Sequence, residues 1–357
     1  MMSLRIAMLA PLKRVITADT TVSRNRVIVD LVGELARRGH KITIFGTAGS
    51  SLPDVEFIPI CQPLTELPPA ENEFYQHTSY LAIEIAEVLK RQRDFDLIHN
   101  HMYPEYLALS VPFTTPMVST VHSQMIPLTA EVLRRFPAAH LVAISQMAQK
   151  MSEREMDVVH NSVDTEFFTP IDGDKSYLLA VGRMSKAKDE KGNFLDPKGI
   201  GNAIAVAEKS GMPLKIVGNC EDPAFFETIV KPHLSETIEF IGKVAAEQTL
   251  TRDQMHELFA GARAFINPIN WEEPFGLVMA EALSCGTPVV AFNRGAVSEI
   301  VTKDVGFIVD NIDTMVSALK QIDIINRAGC RDYAVTNFSI KRMVDEYEKV
   351  YQKYIQK

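Results

Sequence analysis

Residues 270–291 read NWEEPFGLVMAEALSCGTPVVA, and this stretch predicts a loop, a helix and a buried strand in direct succession. A proline and a glycine favour the end of the loop, an apolar run with helical spacing follows, and the Val-Val-Ala run is typical of a strand buried on both faces. Two carboxylates, Glu273 and Glu281, flank the helix start. A helix start exposes free backbone N–H groups and the positive end of the helix dipole. The segment therefore predicts an anion site bordered by two acids that can bind hydroxyl groups.

Strand-like and helix-like patterns alternate along the rest of the chain. Strands are predicted at 4–10, 41–46, 97–99, 116–121, 141–144, 157–160, 177–182, 214–217, 238–241, 264–267 and 288–291. Helices are predicted at 24–38, 78–91, 128–136, 199–209, 223–230, 252–260, 276–284 and 340–356. This alternation predicts an α/β fold with two tandem Rossmann-like, doubly wound parallel sheets that helices cover.

The length of 357 residues, 46% of them hydrophobic, is enough for two domains. A segment rich in Pro, Gly and Asp at 169–175 predicts the linker between them. We therefore expect an N-terminal domain at 1–168, a second domain at 174–338, and a terminal helix within 339–357 that packs back toward the first domain. Doubly wound domains bind ligands at the carboxyl ends of their strands, so the two domains should face a central ligand cleft.

The charge and the cysteines exclude several classes of protein. The formal net charge is −8 and neither half of the chain is basic, which argues against nucleic acid as a partner and allows at most peripheral membrane contact. The four cysteines show no CxxC spacing, as is typical of a reducing compartment. No apolar run is long enough for a membrane span, and the N-terminus lacks the features of a signal peptide. These features predict a cytoplasmic protein.

Two cations are candidates for binding a diphosphate. Arg183 follows a predicted strand, and Lys198 precedes Gly199 at the start of a predicted helix. Lys191, which also precedes a glycine, is a competing candidate, but its surroundings indicate a turn rather than a helix start. The polar segment 184–197 between the two cations is either a mobile lid over the phosphates or an inert surface insertion.

Three histidines lie at predicted strand ends. His122 is either a hydrogen-bonded structural histidine or a substrate contact, and its position favours the contact. His99 and His101 could form a metal pair, but we expect their side chains to point to opposite faces, and no nearby acid or thiol completes a ligand set. We therefore predict no metal site.

These motifs together resemble the family-4 retaining glycosyltransferases of the GT-B fold, also known as glycosyl transferases group 1. The resemblance covers nearly the whole chain. It rests on residues 37–45, 95–101, 121–122, 143–145, 160–164, 181–183 and 198–199 and on the Glu273–Glu281 segment. Residues 198–199 and the Glu273–Glu281 segment are the most specific of these motifs. The resemblance implies transfer of a sugar from a nucleoside diphosphate donor, with retention of the anomeric configuration and without a metal or another cofactor.

The resemblance also implies a role for individual residues. Arg183 and Lys198 would hold the diphosphate, Glu281 the ribose hydroxyls and Glu273 the hydroxyls of the donor sugar. His122 would approach the sugar and the acceptor. Backbone in the helix start would assist at Phe275, Gly276, Leu277 and Val278, and the base would be framed by Gly242, Lys243 and Val244.

One segment departs from the family pattern. Many members have a Gly-Gly loop after the first strand, close to the donor phosphates, whereas residues 19–26 here read DTTVSRNR. Side chains stand where backbone would otherwise approach closely. Arg24 is a candidate for supplying the phosphate contact instead.

The function that follows is transfer of a hexose-type sugar, from a UDP-sugar by preference, to a small-molecule, lipid or glycan acceptor. Two alternatives stay open at this point. One is a nucleotide-sugar epimerase or a phosphorylase on the same fold, and the other is a non-catalytic protein that binds sugar nucleotides. No motif in the sequence indicates the identity of the acceptor or the oligomeric state.

Overall fold

The structure, a computed structural model, describes residues 3–68, 73–102, 104, 107, 111–244 and 250–355. The chain divides into two compact units. The first unit comprises Met1–Ser162 together with Ile340–Lys357, and the second unit comprises Val163–Ser339. Each unit contains one parallel sheet covered by helices, which confirms the predicted α/β architecture.

The first unit is built on a seven-stranded sheet. Its strands are β1 (Arg5–Leu9), β2 (Lys41–Thr47), β3 (Val55–Cys61), β4 (Leu97–Asn100), β5 (Met117–Val121), β6 (His140–Ala143) and β7 (Asp157–Val158). Its helices before the second unit are α1 (Ser23–Arg37), α2 (Glu73–Arg91), α3 (Pro127–Arg135) and α4 (Gln146–Ser152). The sheet order is β3-β2-β1-β4-β5-β6-β7, with every pair parallel. The order reverses between β1 and β4, which opens a crevice at their carboxyl ends.

The second unit repeats this plan with a six-stranded sheet. Its strands are β8 (Tyr177–Val181), β9 (Leu214–Val217), β10 (Ile238–Ile241), β11 (Ala262–Asn267), β12 (Val289–Phe292) and β13 (Gly306–Val309). Its helices are α5 (Ile200–Ser210), α6 (Pro223–Phe225), α7 (Arg252–Gly261), α8 (Leu277–Ser284), α9 (Val297–Ile300), α10 (Ile312–Leu319) and α11 (Arg327–Phe338). The order β10-β9-β8-β11-β12-β13 reverses between β8 and β11.

Helix α12 (Ile340–Ile355) follows the second unit in sequence but belongs to the first, where it packs against α1. It buries Tyr347 and Tyr351 completely. Glu348 on the same helix accepts hydrogen bonds from Arg38 at 2.7 Å and from the ring of His40 at 3.0 Å. Residues 356 and 357 of the predicted terminal segment lie outside the described residues.

The boundary between the two units lies between Ser162 and Val163. The sequence had predicted that the first domain ends at 168 and that the second begins at 174. The reason is hydrogen bonding of the intervening residues within the second unit. The N–H of Val163 donates to the carbonyl of Phe338 at 2.8 Å, and the Ser284 hydroxyl donates to the carbonyl of Phe168 at 2.6 Å. Segment 163–168 is therefore an integral part of the second unit rather than the end of the first.

A carboxyl group is buried in the core of the first unit. Glu84 on α2 is only 1% exposed, and the N–H of Ala10 donates a hydrogen bond to it. Among the described residues, its Oε1 atom has no hydrogen-bond partner. Burial therefore raises the pKa of Glu84 well above its usual value. The folded protein holds this group as a neutral acid over a pH range in which the unfolded chain ionises it.

We predict that the free energy of unfolding of Glu84→Gln exceeds that of the wild type by an amount that grows as the pH rises. A raised folded-state pKa means that the wild type loses stability as the pH climbs above the unfolded value of about 4.3, by up to about 1.4 kcal/mol per pH unit, until the folded pKa is reached. Glutamine has no such dependence. Urea unfolding of both proteins at pH 5 and pH 8 should show a larger advantage for the variant at pH 8.

The matched control is Glu87→Gln on the same helix. Glu87 pairs with Lys90 and has a lowered pKa, so its removal should not produce a gain that grows with pH. An equal difference between Glu84→Gln and wild type at both pH values would contradict the prediction.

Candidate active site

The loops that follow β8 and β11 meet at the point where the strand order of the second unit reverses. There the Lys198 ammonium lies 2.5 Å from Oε2 of Glu273. The indole N–H of Trp271 donates to the same oxygen at 3.2 Å, and the ammonium sits 4.6 Å from the centre of a Trp271 ring. The structure thus brings together the two predicted residues Lys198 and Glu273. It adds Trp271, the single tryptophan of the chain, whose role the sequence did not indicate.

Close backbone packing positions Lys198. Gly199 has a φ of +67°, and a Cβ atom built on it would lie 1.9 Å from the carbonyl oxygen of Pro268. The Lys198 side chain passes over Gly182, where a Cβ atom would lie 2.5 Å from Cβ of Lys198. Only glycine at position 199 allows the two loops to approach this closely.

An amide network fastens the same two loops together. The N–H of Asn270 donates to the carbonyl of Pro197 at 2.9 Å, and the Asn270 side chain donates to the carbonyl of Asp196 at 2.8 Å. The Asn202 amide donates to the carbonyl of Pro268 at 2.9 Å. These contacts link the start of α5 to the acidic loop, so the ion pair between Lys198 and Glu273 rests on an ordered backbone.

Arg183 comes from the strand end that Lys198 contacts and has a carboxylate partner of its own. It directly follows Gly182, over which Lys198 packs, so both cations belong to the carboxyl end of β8. Its side chain is 64% exposed, and it donates to Oε1 of Glu221 at 2.9 Å. The sequence missed Glu221, because nothing in the local pattern distinguishes it from a surface acid.

The predicted anion site at the start of α8 has a defined geometry. Gly276 caps the helix with a φ of +99°. The Phe275 side chain is buried against Phe338, with ring centroids 5.9 Å apart, so only its backbone can contribute to the site. Leu277 and Val278 form the first turn and are partly exposed.

Both acids of the segment lie near this helix start. Glu281 occupies the second turn of α8 and is partly exposed. Glu273 is 8% exposed, and its carbonyl accepts a hydrogen bond from the N–H of Ala296 at 2.9 Å. Glu272, which the sequence did not single out, accepts from the N–H of Gly295. The acidic loop is thereby held to the turn that precedes α9.

Two further predicted segments are also located by the structure. Gly242, Lys243 and Val244 follow β10, and the carbonyl of Lys243 accepts from the N–H of Cys220 at 3.2 Å. Segment 184–197 folds back on itself, with the N–H of Leu195 donating to the carbonyl of Ala187 at 2.9 Å. Phe194 anchors it against Phe225 at a centroid distance of 5.2 Å. Whether this segment acts as a lid stays a prediction.

The remaining candidates lie in the first unit. His122 follows β5, and Arg24 lies in the first turn of α1. His101, directly after β4, approaches His122 to 2.9 Å between Nδ1 and Nε2. The expectation that His99 and His101 point apart was wrong: residues two apart on a strand share a face, and His101 Nε2 lies 3.2 Å from His99 Nδ1.

The electrostatic environment keeps these imidazoles neutral. Desolvation of the partly exposed His122 ring, together with the unfavourable effect of neighbouring His101 and Arg24 on a second positive charge, holds the pKa of His122 well below 6.5. Burial and the Arg24 charge lower the pKa of His101 to about 3. The Arg24 charge thus disfavours protonation of both rings. Within the described ranges, no group of three or more His, Cys, Asp or Glu residues is arranged to hold a metal ion.

Profiles of two glycosyltransferase families match the two halves of this sequence. The family described as Glycosyltransferase Family 4 matches residues 25–167, and Glycosyl transferases group 1 matches residues 175–322. The chain belongs to the family-4, group 1 glycosyltransferases. The resemblance seen in the motifs is thereby confirmed.

Known proteins similar to this glycosyltransferase match over nearly its full length. N-acetyl-alpha-D-glucosaminyl L-malate synthase from Bacillus anthracis is 23% identical over 95% of this chain and 96% of its own. Sucrose-phosphate synthase from Thermosynechococcus elongatus has a TM-score of 0.78 at 17% identity, covering 98% of both chains. Anabaena HepE, solved in complex with UDP-glucose, has a TM-score of 0.71 at 16% identity, covering 98% of this chain and 100% of its own. These similarities confirm the GT-B fold.

Across the described part of the glycosyltransferase, no helix combines the length and the apolar character needed to cross a membrane.

We predict that Gly199→Ala disturbs the site much more than Gly192→Ala. Both glycines have positive φ, so each alanine pays about 1–2 kcal/mol for the left-handed conformation. Only at position 199 would the new Cβ atom also collide with the Pro268 carbonyl, whereas nothing lies within 4 Å of a Cβ at position 192. Urea unfolding should show a clearly larger loss of stability for Gly199→Ala. Equal losses for the two variants would contradict the proposed close approach.

Proposed function

We propose that this glycosyltransferase moves a hexose from a UDP-sugar to an acceptor hydroxyl, with retention of the anomeric configuration and without a metal. The observation that carries the proposal is the clustering of Arg183, Lys198 and the start of α8 around one reversal of strand order. Phosphate oxygens prefer such a set of cations and free N–H groups. The similarity to HepE, whose structure contains UDP-glucose, supports the choice of donor.

Each donor-side residue has a role in this proposal. Arg183 and Lys198 bind the diphosphate, together with backbone N–H groups at the start of α8. Glu281 binds the ribose hydroxyls, and Glu273 binds hydroxyls of the hexose. The base lies against the segment Gly242–Val244, which follows β10.

The chemistry requires stabilisation of the leaving group. The acceptor oxygen forms a bond to the anomeric carbon while the bond from that carbon to the phosphate oxygen breaks, and the acceptor proton passes to the leaving phosphate. Negative charge therefore builds up on the diphosphate, where the preorganised cations and N–H groups stabilise it. His122 contacts the sugar and the acceptor, and Arg24 supplies a further phosphate contact in place of a glycine loop.

The two cations carry carboxylate partners in this structure, and these partners define how the donor enters. Glu273 neutralises Lys198, and Glu221 neutralises Arg183. The donor diphosphate brings competing negative charge to both cations. In the proposed complex, Arg183 exchanges Glu221 for phosphate, and Glu273 turns from Lys198 toward the sugar hydroxyls.

We predict that Lys198→Ala and Glu273→Gln each lower kcat/KM by about 100-fold or more, because each removes an interaction with the diphosphate or the transferred sugar. Release of UDP from UDP-hexoses over an acceptor panel measures this loss. Lys191→Ala, at the other Lys-Gly pair, is the matched control and should retain wild-type turnover. Wild-type rates in a folded Lys198→Ala or Glu273→Gln variant would refute the assignment. Epimerised donor without UDP release would instead favour an epimerase.

We further predict that Glu221→Gln tightens binding of UDP by about 1.4- to 5-fold, the range that corresponds to an exposed ion pair. The variant frees Arg183 from its competing carboxylate. Isothermal titration calorimetry at low salt measures the dissociation constant. Glu227→Gln, which disrupts an exposed pair with Lys231 on another part of the unit, should leave it unchanged. Weaker UDP binding in Glu221→Gln, or no UDP binding by any form, would contradict the proposed site.

A further inference from the structure

A continuous line of hydrogen-bonded side chains ends at His122. Nε2 of His122 lies 2.9 Å from Nδ1 of His101, and Nε2 of His101 lies 3.2 Å from Nδ1 of His99. The rings of His101 and His122 are stacked, with centroids 5.2 Å apart. His99 and His101 are completely buried, so their nitrogens must satisfy one another or other protein groups.

The far end of this line is held by helix α12. Nδ1 of His99 lies 2.7 Å from the Tyr351 hydroxyl, and Nε2 of His99 lies 2.8 Å from the Thr120 hydroxyl. The Thr120 hydroxyl in turn lies 2.9 Å from the hydroxyl of Tyr347. The two tyrosines come from one helix and Thr120 from β5, and all three are buried.

Every group in this line is neutral. Burial, with smaller contributions from the neighbouring rings, holds the pKa of His99 far below 6.5, as it does for His101 and His122. Burial also raises the pKa values of Tyr347 and Tyr351, which keeps both hydroxyls protonated. Each imidazole therefore offers one N–H donor and one bare nitrogen acceptor, and the choice at one ring constrains the next.

The Tyr351 hydroxyl decides which group donates at each hydrogen bond along this line. Nδ1 of His99 is the partner that the structure gives to the Tyr351 hydroxyl. With the Tyr351 hydrogen donated there, this nitrogen is bare, and His99 carries its proton on Nε2, where it donates to Thr120. Nε2 of His101 then carries its proton, because two bare nitrogens 3.2 Å apart would repel each other, and it shares the lone pair on Nδ1 of His99 with the Tyr351 hydroxyl. This leaves Nδ1 of His101 as an acceptor for the Nε2–H of His122. The reverse direction would deny the buried Tyr351 hydrogen this acceptor and is therefore costly.

We propose that this relay, formed by Tyr351, Thr120, His99 and His101, fixes His122 as the Nε2–H tautomer and leaves its Nδ1 atom as a hydrogen-bond acceptor. Tyr351 and His101 are accordingly positioning residues. Resting on the function proposed above, the inference assigns to His122 a hydroxyl group of the sugar or the acceptor as its hydrogen-bond donor. A His122 protonated on Nδ1, whether cationic or neutral, would donate to the hydroxyl oxygen instead of accepting the hydroxyl hydrogen.

The test is a nitrogen-15 NMR spectrum of the histidine rings in the full chain at pH 7, with the His122 signals assigned by their loss in His122→Asn. We expect a protonated Nε2 and a bare Nδ1 in the wild type. Tyr351→Phe should shift His122 toward the other tautomer. Tyr354→Phe removes a hydroxyl from the same helix but outside the relay, since Tyr354 donates to Asp157, and should leave the spectrum unchanged.

Thr120→Val interrupts the relay at a second position. It should shift the tautomer of His122 in the same direction as Tyr351→Phe, because it removes the acceptor for the Nε2–H of His99.

Kinetic measurements test the substrate contact of His122. Tyr351→Phe should lower kcat about fivefold, the equivalent of one neutral hydrogen bond, with little change in UDP affinity. A wild-type His122 protonated on Nδ1, or an unchanged tautomer in both variants, would overturn the relay. A shifted tautomer with unchanged kcat would leave the relay in place and overturn the substrate contact of His122.

Discussion

The close approach of Gly199 to the carbonyl of Pro268 is the constraint on which the candidate site depends. It allows the loop after β8 and the loop after β11 to touch through their backbones. Because these strands are neighbours at the reversal of strand order, their loops already share one edge of the sheet. The contact then fixes Lys198 and Glu273 to within 2.5 Å of each other. A larger residue at position 199 would separate the loops and, with them, the cation from the carboxylate.

The pairing of each cation with an acid gives the site a defined charge before any donor enters. Two like charges at one strand end would repel each other if both were uncompensated. Glu221 and Glu273 remove that repulsion, and they do so with very different exposure. Arg183 is mostly exposed, so its pair is weak and exchangeable, whereas the pair of Lys198 with Glu273 is more buried and has Trp271 as a further contact. The site therefore combines one easily exchanged cation with one that is held in place.

The sequence predicted the part of the site that follows from local pattern. Periodicity placed β9 and β10 at their observed limits, and the preference for Lys198 over Lys191 agrees with a helix that starts at Ile200 and a turn at Gly192. The edge strands β3 and β13 were missed, because β3 contains Pro59 and shows no strict alternation of burial, and β13 is short and partly exposed. Pairings such as Arg183 with Glu221 depend on residues far apart in the chain, and a single sequence does not encode such distances. The histidine contacts were missed for another reason, an incorrect assumption about the faces of β4.

Helix α12 is the last element to be synthesised, although it completes the first unit. The second unit is an insertion within the first, since the chain leaves the first unit after Ser162 and returns to it at Ile340. Chains emerge from the ribosome N-terminus first, so the seven-stranded sheet is made long before Tyr347 and Tyr351 exist. Until then, His99 and Thr120 lack the hydroxyl partners they have in the finished protein. The first unit is therefore complete only when the last helix has been made. A chain interrupted before α12 would carry both sheets, yet the buried side chains of His99 and Thr120 would lack the tyrosine hydroxyls that they contact in the full chain.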